Sequence, residues 1–549
     1  MATTSDPRQA PHLTRSIVLS GLLGFLLILG IGFRFIQLDH KIYWHDEVYT
    51  SMRAAGYLRH EIDDELFQNR LIAASELQKF QQIKPDSTMA DTLHSLKQED
   101  PQHPPLYFGM ARWWMQQWGG SIAAARLLPV LISLFSLPLM YGLALELFHS
   151  TLAALLATTL LALSPFDLLF AQTARQYSLL TVTILASSWL LVKGMQRTPK
   201  AFNGQEGGIW LGYGLSVAIG LYTHPFFALT SVGHGVYAVA LTGVETIRNY
   251  PPVGRDRLLA WLRDRRIWLF GLANGLALLL YSPWIIVLLD RMGRATATTD
   301  WTRENVGIWY LSKLWLLSFT ALFFDLDFGF NNPITYLFRL PFFILVIAAF
   351  YQVYRRASRS ASLFVFTSAG VPFLLLAIPD LIVGGKRSAV SRYLISCYPA
   401  IQLAVAYFLS NKLATGKRLW QGVLAFCLAG SILSAIVSAR AETWWSKDLS
   451  YLNGEVIQAI NAEAATRPIL ISDVGDDYTN TGDLISLSYG LDPSLRLFLV
   501  SHPPQWESIA TEPALMVFRP SKAMEVAIDQ QGWQLVPILE DAKLWRVQQ

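Results

Sequence analysis

Nine times along the chain an apolar run reaches the length of about 20 residues that an α-helix needs to cross a hydrocarbon core of roughly 30 Å. These runs lie near 16–37, 122–147, 176–193, 226–244, 267–289, 334–354, 361–379, 391–411 and 419–437. No other feature restricts the fold as strongly, because inside lipid every backbone N–H and C=O must be bonded within its own helix or a closed barrel. Shorter runs at 150–166 and 208–223 bring the expected spans to eleven, and the Trp-rich stretch 104–118 and the stretch 306–324 either span or lie on the membrane surface. The expected fold is therefore an α-helical polytopic membrane protein with about 11–13 transmembrane helices. Composition agrees: 15% of residues are charged, against roughly a quarter in a soluble domain. Cys397 and Cys427 both sit inside apolar runs, which leaves no disulfide framework or Cys-based metal site.

Orientation follows from the basic residues, since Lys- and Arg-rich loops stay on the cytoplasmic side. Four segments qualify: Lys193, Arg197 and Lys200; the six arginines from Arg248 to Arg266; Arg355, Arg356 and Arg359; and Lys412, Lys417 and Arg418. Eleven spans put all four on one face. Residues 1–15 are then a cytoplasmic N-terminus, followed by a retained helix rather than a cleaved signal. Residues 16–439 form the membrane domain, with a large outer loop at 38–121, and 440–549 form a small soluble α/β domain outside. The expected location is the plasma or inner membrane, multi-pass, with the active face outside or periplasmic. In the terminal domain "RPILISDV" and "PALMVFRP" read as buried strands and "LNGEVIQAINAEAA" as an amphipathic helix. Residues 440–549 carry 8 Lys/Arg against 15 Asp/Glu, leaving the rest of the chain at +11. With no basic stripe interleaved with aromatics in the soluble part, nucleic acid is excluded as a partner. One outer segment breaks the charge rule: "GGKRSAVSRY" sets Lys386, Arg387 and Arg392 where positive charge is scarce, and is expected to face something anionic.

Chemistry concentrates on the same face. "IYWHDEVYT" places Asp46 and Glu47 just beyond the first span, where partial desolvation makes a carboxylate a stronger base; the plain alternative is an interfacial anchor among aromatic residues. "QHPPLYF" puts His103 ahead of two prolines that open a helix. "SPFDLLFAQTARQYSLLT" brings Asp167, Gln172 and Arg175 to an outer turn, where an Arg either snorkels or finds an anion. "LYTHPFF" sets His224 at another outer turn, with a structural imidazole as the plain alternative. No HExxH, Walker loop, GxSxG or GxGxxG opening a βα unit occurs. An enzyme of this kind, working outside the cytoplasm, must take its activated group from a carrier already in the membrane.

Four stretches in order, "HDEVYT", "HPPLYF", "AQTARQYSL" and "SRYLISCYPA", resemble the membrane glycosyltransferases of the C fold (GT-C), the superfamily that includes protein O-mannosyltransferases and the lipid A aminoarabinose transferase; the resemblance covers residues 16–411. It implies inverting transfer of a hexosyl or pentosyl unit from a polyprenyl-phosphate carrier to a hydroxyl of an unidentified protein, lipid, glycan or small acceptor. By that resemblance Asp46 is the general base and Glu47 orients the acceptor or a neighbouring cation. Arg175, Arg392 and Lys386 neutralise the leaving phosphate, the two arginines being favoured by bidentate geometry. His103 and His224 bond phosphate or sugar, and Gln172 and Tyr393 complete the substrate-binding set. Some relatives bind a divalent metal with two acids in the outer turn; here Asp167 stands alone there, so the expectation is no metal, with a divalent ion as the alternative. Two other readings compete. A transporter or flippase of a lipid-linked sugar also carries intramembrane polar residues, but internal symmetry is not visible; a membrane-anchored scaffold would need only one or two spans.

Overall fold

The structure, a computed structural model, describes residues 10–197, 203–249 and 255–549; the first nine residues of the expected cytoplasmic N-terminus and Lys200 of one basic loop lie outside them. The chain divides into two compact units, one made of Met1–Ile36, Gln102–Leu106 and Pro129–Ala439, the other of Gln37–Pro101, Tyr107–Leu128 and Arg440–Gln549.

The first unit is helical. Seven helices among the described residues are long and apolar enough to cross a membrane, and an eighth span results if Thr151–Leu163 and Pro165–Ala171, bent by 56°, count as one. These eight fall on eight of the eleven expected runs. The other three runs are helical as Ala10–Phe33, Gly204–Thr223 and Tyr398–Leu413. The last begins later than expected, because 391–394 forms a 3-10 turn that carries Arg392 and Tyr393. Tyr398–Leu413 is apolar and buried almost all round, as a helix enclosed by others must be; it packs on Thr151–Leu163 and Leu340–Arg356. The two ambiguous stretches become Leu106–Trp118, of 13 residues, and Gly307–Thr320, of 14. Each is about 20 Å long at 1.5 Å per residue, too short to cross alone. Close helix crossings rest on small residues. At Gly30 an added Cβ would lie 2.6 Å from the Ala162 carbonyl, and at Gly214 2.8 Å from that of Ala273.

The second unit joins the outer loop to the chain's end. Its strands are β1 (Arg70–Ala73), β2 (Ile469–Ser472), β3 (Arg496–Leu499), β4 (Leu515–Phe518), β5 (Gln534–Leu539) and β6 (Leu544–Gln548). They form one sheet in the order β1-β3-β2-β4-β6-β5. β3, β2 and β4 are parallel, with β1 added antiparallel to β3 and β6 to β4. β2 and β4, the strands anticipated from sequence, are buried at every position, as expected for parallel strands covered on both faces. Ile469, Ile471, Phe498, Val517, Met524 and Trp506 make the core. The sequence reading sets the outer loop and the terminal domain apart; in the structure they share a sheet. Without β1 the outer edge of β3 would show a row of unpaired backbone groups.

Candidate active site

In the second unit, helix His45–Ala55 carries both acids in its first turn. Glu47, three residues beyond Trp44, bends back to accept the Trp44 backbone N–H at 3.2 Å, the carboxylate half of a capping box. The turn separates the pair sharply. Glu47 is wholly buried, whereas Asp46 is partly exposed.

Glu47 is gripped by Arg126 through two parallel bonds of 2.8 Å, Nε to Oε1 and Nη2 to Oε2. The remaining Arg126 donors go to the carbonyls of Leu38, Lys41 and Ile42, each at 2.8 Å, so all five guanidinium N–H groups are used. Lys447 Nζ lies 3.4 Å from Glu47 Oε2, and Lys41 donates to the Ala441 carbonyl at 3.0 Å. Arg126 and Lys447 thus flank Glu47, and Lys41 lies close enough to both to feel their charge. The crowding shows in their protonation: burial, helped by Lys447 and Arg126, pushes Lys41 down to about 7. Burial also lowers Lys447 to about 8, outweighing the attraction of Glu47. Behind Asp46, His45 Nδ1 is 3.4 Å from Asp483, which is also paired with Arg519. The His45 backbone N–H donates to Ser450 Oγ at 2.9 Å.

The first unit gathers a different set. His103, in the segment before helix Leu106–Trp118, faces Arg175 Nη2 through Nε2 at 3.4 Å. His103 Nδ1 lies 3.3 Å from the Gln176 side-chain nitrogen, so both ring nitrogens face donor groups. His224, at the turn between Gly204–Thr223 and Phe227–Asn249, lies with its ring centre 6.2 Å from that of His103. Burial, with His103, Arg175 and Arg392 adding to it, holds His224 well below the ordinary imidazole range. Arg392 sits 5.9 Å from the Trp301 ring centre and 5.7 Å from that of Tyr393, and Tyr393 meets Phe226 edge-on at 4.4 Å. His103, Arg175, His224, Arg392 and Tyr393 therefore belong to one neighbourhood.

The other predicted positions are occupied by the protein itself. Lys386 is bonded to Glu304 at 2.5 Å and Arg387 to Asp380 at 3.0 Å, so part of the anion expected near "GGKRSAVSRY" is the chain's own carboxylates. Gln172 donates to the carbonyls of Phe33, Arg34 and Ile36, closing the end of the first helix. Asp167 accepts from Gln402 at 2.8 Å. Among the described residues no three His, Cys, Asp or Glu side chains converge as metal ligands. Sequence reasoning missed Arg126, Lys41 and Lys447. A signal existed for Arg126, the lone charge in the apolar run "IAAARLLPVLISL". Nothing local marks Lys447, whose partner lies 400 residues away.

Residues 102–253 match the family model described as dolichyl-phosphate-mannose-protein mannosyltransferase. No curated protein matches the chain significantly. Among solved structures, ArnT from Cupriavidus metallidurans bound to undecaprenyl phosphate is similar at 13% identity and a TM-score of 0.54, over 96% of this chain and 98% of that one. ArnT in the apo state is similar at 14% identity with the same coverage and TM-score. The chain has the GT-C fold, and its residues 102–253 match the mannosyltransferase family model.

Proposed function

We propose that this protein is an inverting glycosyltransferase that moves a monosaccharide from a polyprenyl-phosphate carrier to an acceptor hydroxyl on the exoplasmic side. The observation that carries the reading is the split between its two acids: Asp46 is partly exposed in the first turn of a helix, while the adjacent Glu47 is buried and locked by Arg126. Asp46 takes the proton of the acceptor hydroxyl as its oxygen attacks the anomeric carbon. The bond from that carbon to the phosphate oxygen breaks on the opposite side, and the lipid phosphate leaves with the negative charge. Glu47 is a positioning residue: through Arg126 it fixes the backbone at Leu38, Lys41 and Ile42 and hence the entry of the Asp46 helix. Arg175 and Arg392 neutralise the departing phosphate, with His103 and His224 as partners for its oxygens or the sugar hydroxyls. Lys386, paired with Glu304, has a lesser part. Support comes from the GT-C fold, from the family segment and from the undecaprenyl phosphate held by the similar ArnT. The outer placement of the active face rests on the four basic loops.

The test is turnover of a panel of polyprenyl-phosphate hexoses and pentoses by purified protein, read as release of polyprenyl phosphate. Asp46→Asn is expected to abolish release while the thermal midpoint stays that of the wild type. Full release by Asp46→Asn overturns the assignment, and translocation of the intact donor across a liposome without cleavage replaces it with a flippase.

A further inference from the structure

In the second unit the chain leaves β2, forms β3 on one side of it, then returns to form β4 on the other. That reversal is a topological switch point, and in open parallel α/β sheets ligands bind outside the carboxyl ends of the strands at such a point. Here the place holds a cleft of about 650 Å³, within the range of small-molecule sites. Its floor comes from residues just past the three parallel strands: Asp473 after β2, His502 after β3 and Ser521 after β4. Asp473 is buried and ties them together. It accepts from the backbone N–H groups of Gly475 at 3.1 Å and Ser521 at 3.2 Å and from the Ser521 hydroxyl, and its Oδ2 lies 3.0 Å from His502 Nε2. His502 is otherwise exposed.

The walls restrict the ligand. Asp63 and Asp64 come from helix Arg59–Leu66 of the outer loop and Asp476 from the turn after β2. Asp63 is paired with Arg59 at 2.7 Å, and Arg59 also stands 5.1 Å from the Tyr478 ring centre, so the unpaired charge of the wall is that of Asp64 and Asp476. Asp476 accepts only the Lys522 backbone N–H, at 3.3 Å and beyond, and the Asp64 carboxylate has no bonded partner among the described residues. Such a lining repels phosphates and carboxylates. The absence of a three-ligand cluster among the described residues gives a metal ion no cage. What remains is the carboxylates of Asp64 and Asp476 as hydrogen-bond acceptors for hydroxyls, with Ser501 and Gln68 as donors. Beside them stands Tyr478, an exposed aromatic ring held at φ +58° in a turn bonded to Gly475. Carboxylates facing adjacent hydroxyls and a flat ring for a C–H face are complementary to a pyranose.

We propose that this cleft is a carbohydrate-binding site for an uncharged saccharide, and that the saccharide is part of the acceptor. The second clause rests on the transferase reading; the first does not. The cleft is coupled to the catalytic turn within the same unit. The Asp473–Thr479 segment runs into helix Asn480–Ser488, where Asp63 bonds Thr481 at 2.5 Å. Gly482 of that helix lies so close to Tyr49 and His45 that an added Cβ would stand 2.9 Å from the His45 ring. His45 is the residue before Asp46.

The experiment is saturation-transfer NMR on the full-length protein in detergent. The probes are methyl α-mannoside, methyl β-glucoside, methyl β-galactoside and chitotriose, with inorganic phosphate, spermidine and calcium as controls. At least one saccharide is expected to show transfer in the wild type, and to lose most of it in Asp476→Asn/Tyr478→Ala. Both side chains are exposed, and an unchanged melt confirms the variant is folded. Asp46→Asn is expected to keep saccharide binding. No saccharide signal, a signal indifferent to the double variant, or spermidine or calcium alone responding to it overturns the site. Saccharide binding in a protein that never releases polyprenyl phosphate upholds the site and overturns the transferase reading instead.

Discussion

Arg126 of the second unit and Arg175 of the first are both buried guanidinium groups, yet their surroundings differ. Arg126 directs all five donors at a carboxylate and three carbonyls, every bond at 2.8 Å. Arg175 faces an imidazole at 3.4 Å, with neutral His224 and Arg392 close by. A guanidinium saturated at ideal distance by its own chain is framework, because a buried pair loses several kcal/mol when one partner is removed. Arg175, beside His224 and Arg392, is the guanidinium that the proposed reaction assigns to the leaving phosphate. The comparison teaches that burial of charge alone does not identify a catalytic group; the identity and distance of its partners do.

Four experiments sharpen or break this contrast. The largest effect is expected at Asp46→Asn, which removes the proposed base: turnover falls by about 10²–10⁴ with the melting temperature unchanged, as measured by donor cleavage and a thermal scan. Arg126→Met takes the bidentate partner from buried Glu47 and is expected to cost about 3–5 kcal/mol of stability, read as a lower denaturation midpoint. Arg175→Ala is expected to slow cleavage by about 10²–10³ without moving that midpoint. If Arg175→Ala unfolds the protein as readily as Arg126→Met, the distinction between the two arginines fails.

The smallest effect is a pH dependence. Lys41 and Lys447 titrate near about 7 and about 8 in the folded protein, against 10.5 for a free lysine. Between those values the unfolded chain binds more protons than the folded one, so stability rises with pH from about 7 towards 10.5 and is flat below, where both states are protonated. Lys41→Met is expected to flatten the rise, visible as thermal midpoints that converge with the wild type at high pH and exceed it at low pH.

The helical scaffold was legible because lipid imposes one rule on every span: apolar, uninterrupted and about 20 residues long. It blurred where protein replaces lipid as surroundings. Tyr398–Leu413 is enclosed by neighbouring helices and needs no full-length apolar run. Leu106–Trp118 and Gly307–Thr320 carry apolar faces without the length to cross. In the terminal domain β2 and β4 were readable as short apolar runs, but β1, "RLIA" inside a charged loop, pairs with a strand more than 400 residues later and leaves no local pattern. The site divided the same way. Asp46, His103, Arg175 and His224 announce themselves as polar residues at span ends, whereas Lys41 and Lys447 acquire meaning only when the chain returns to bury them beside Glu47.

The edge strand at Arg70–Ala73 has a consequence for how the protein is made. Its partner Arg496–Leu499 emerges from the ribosome only after every helix of the membrane unit has been synthesised. Through nearly the whole of translation the loop that carries β1 therefore waits with an open hydrogen-bonding edge, a template that other unfinished chains can pair with. Biogenesis of this molecule depends on that edge being shielded until the last hundred residues arrive to cover it.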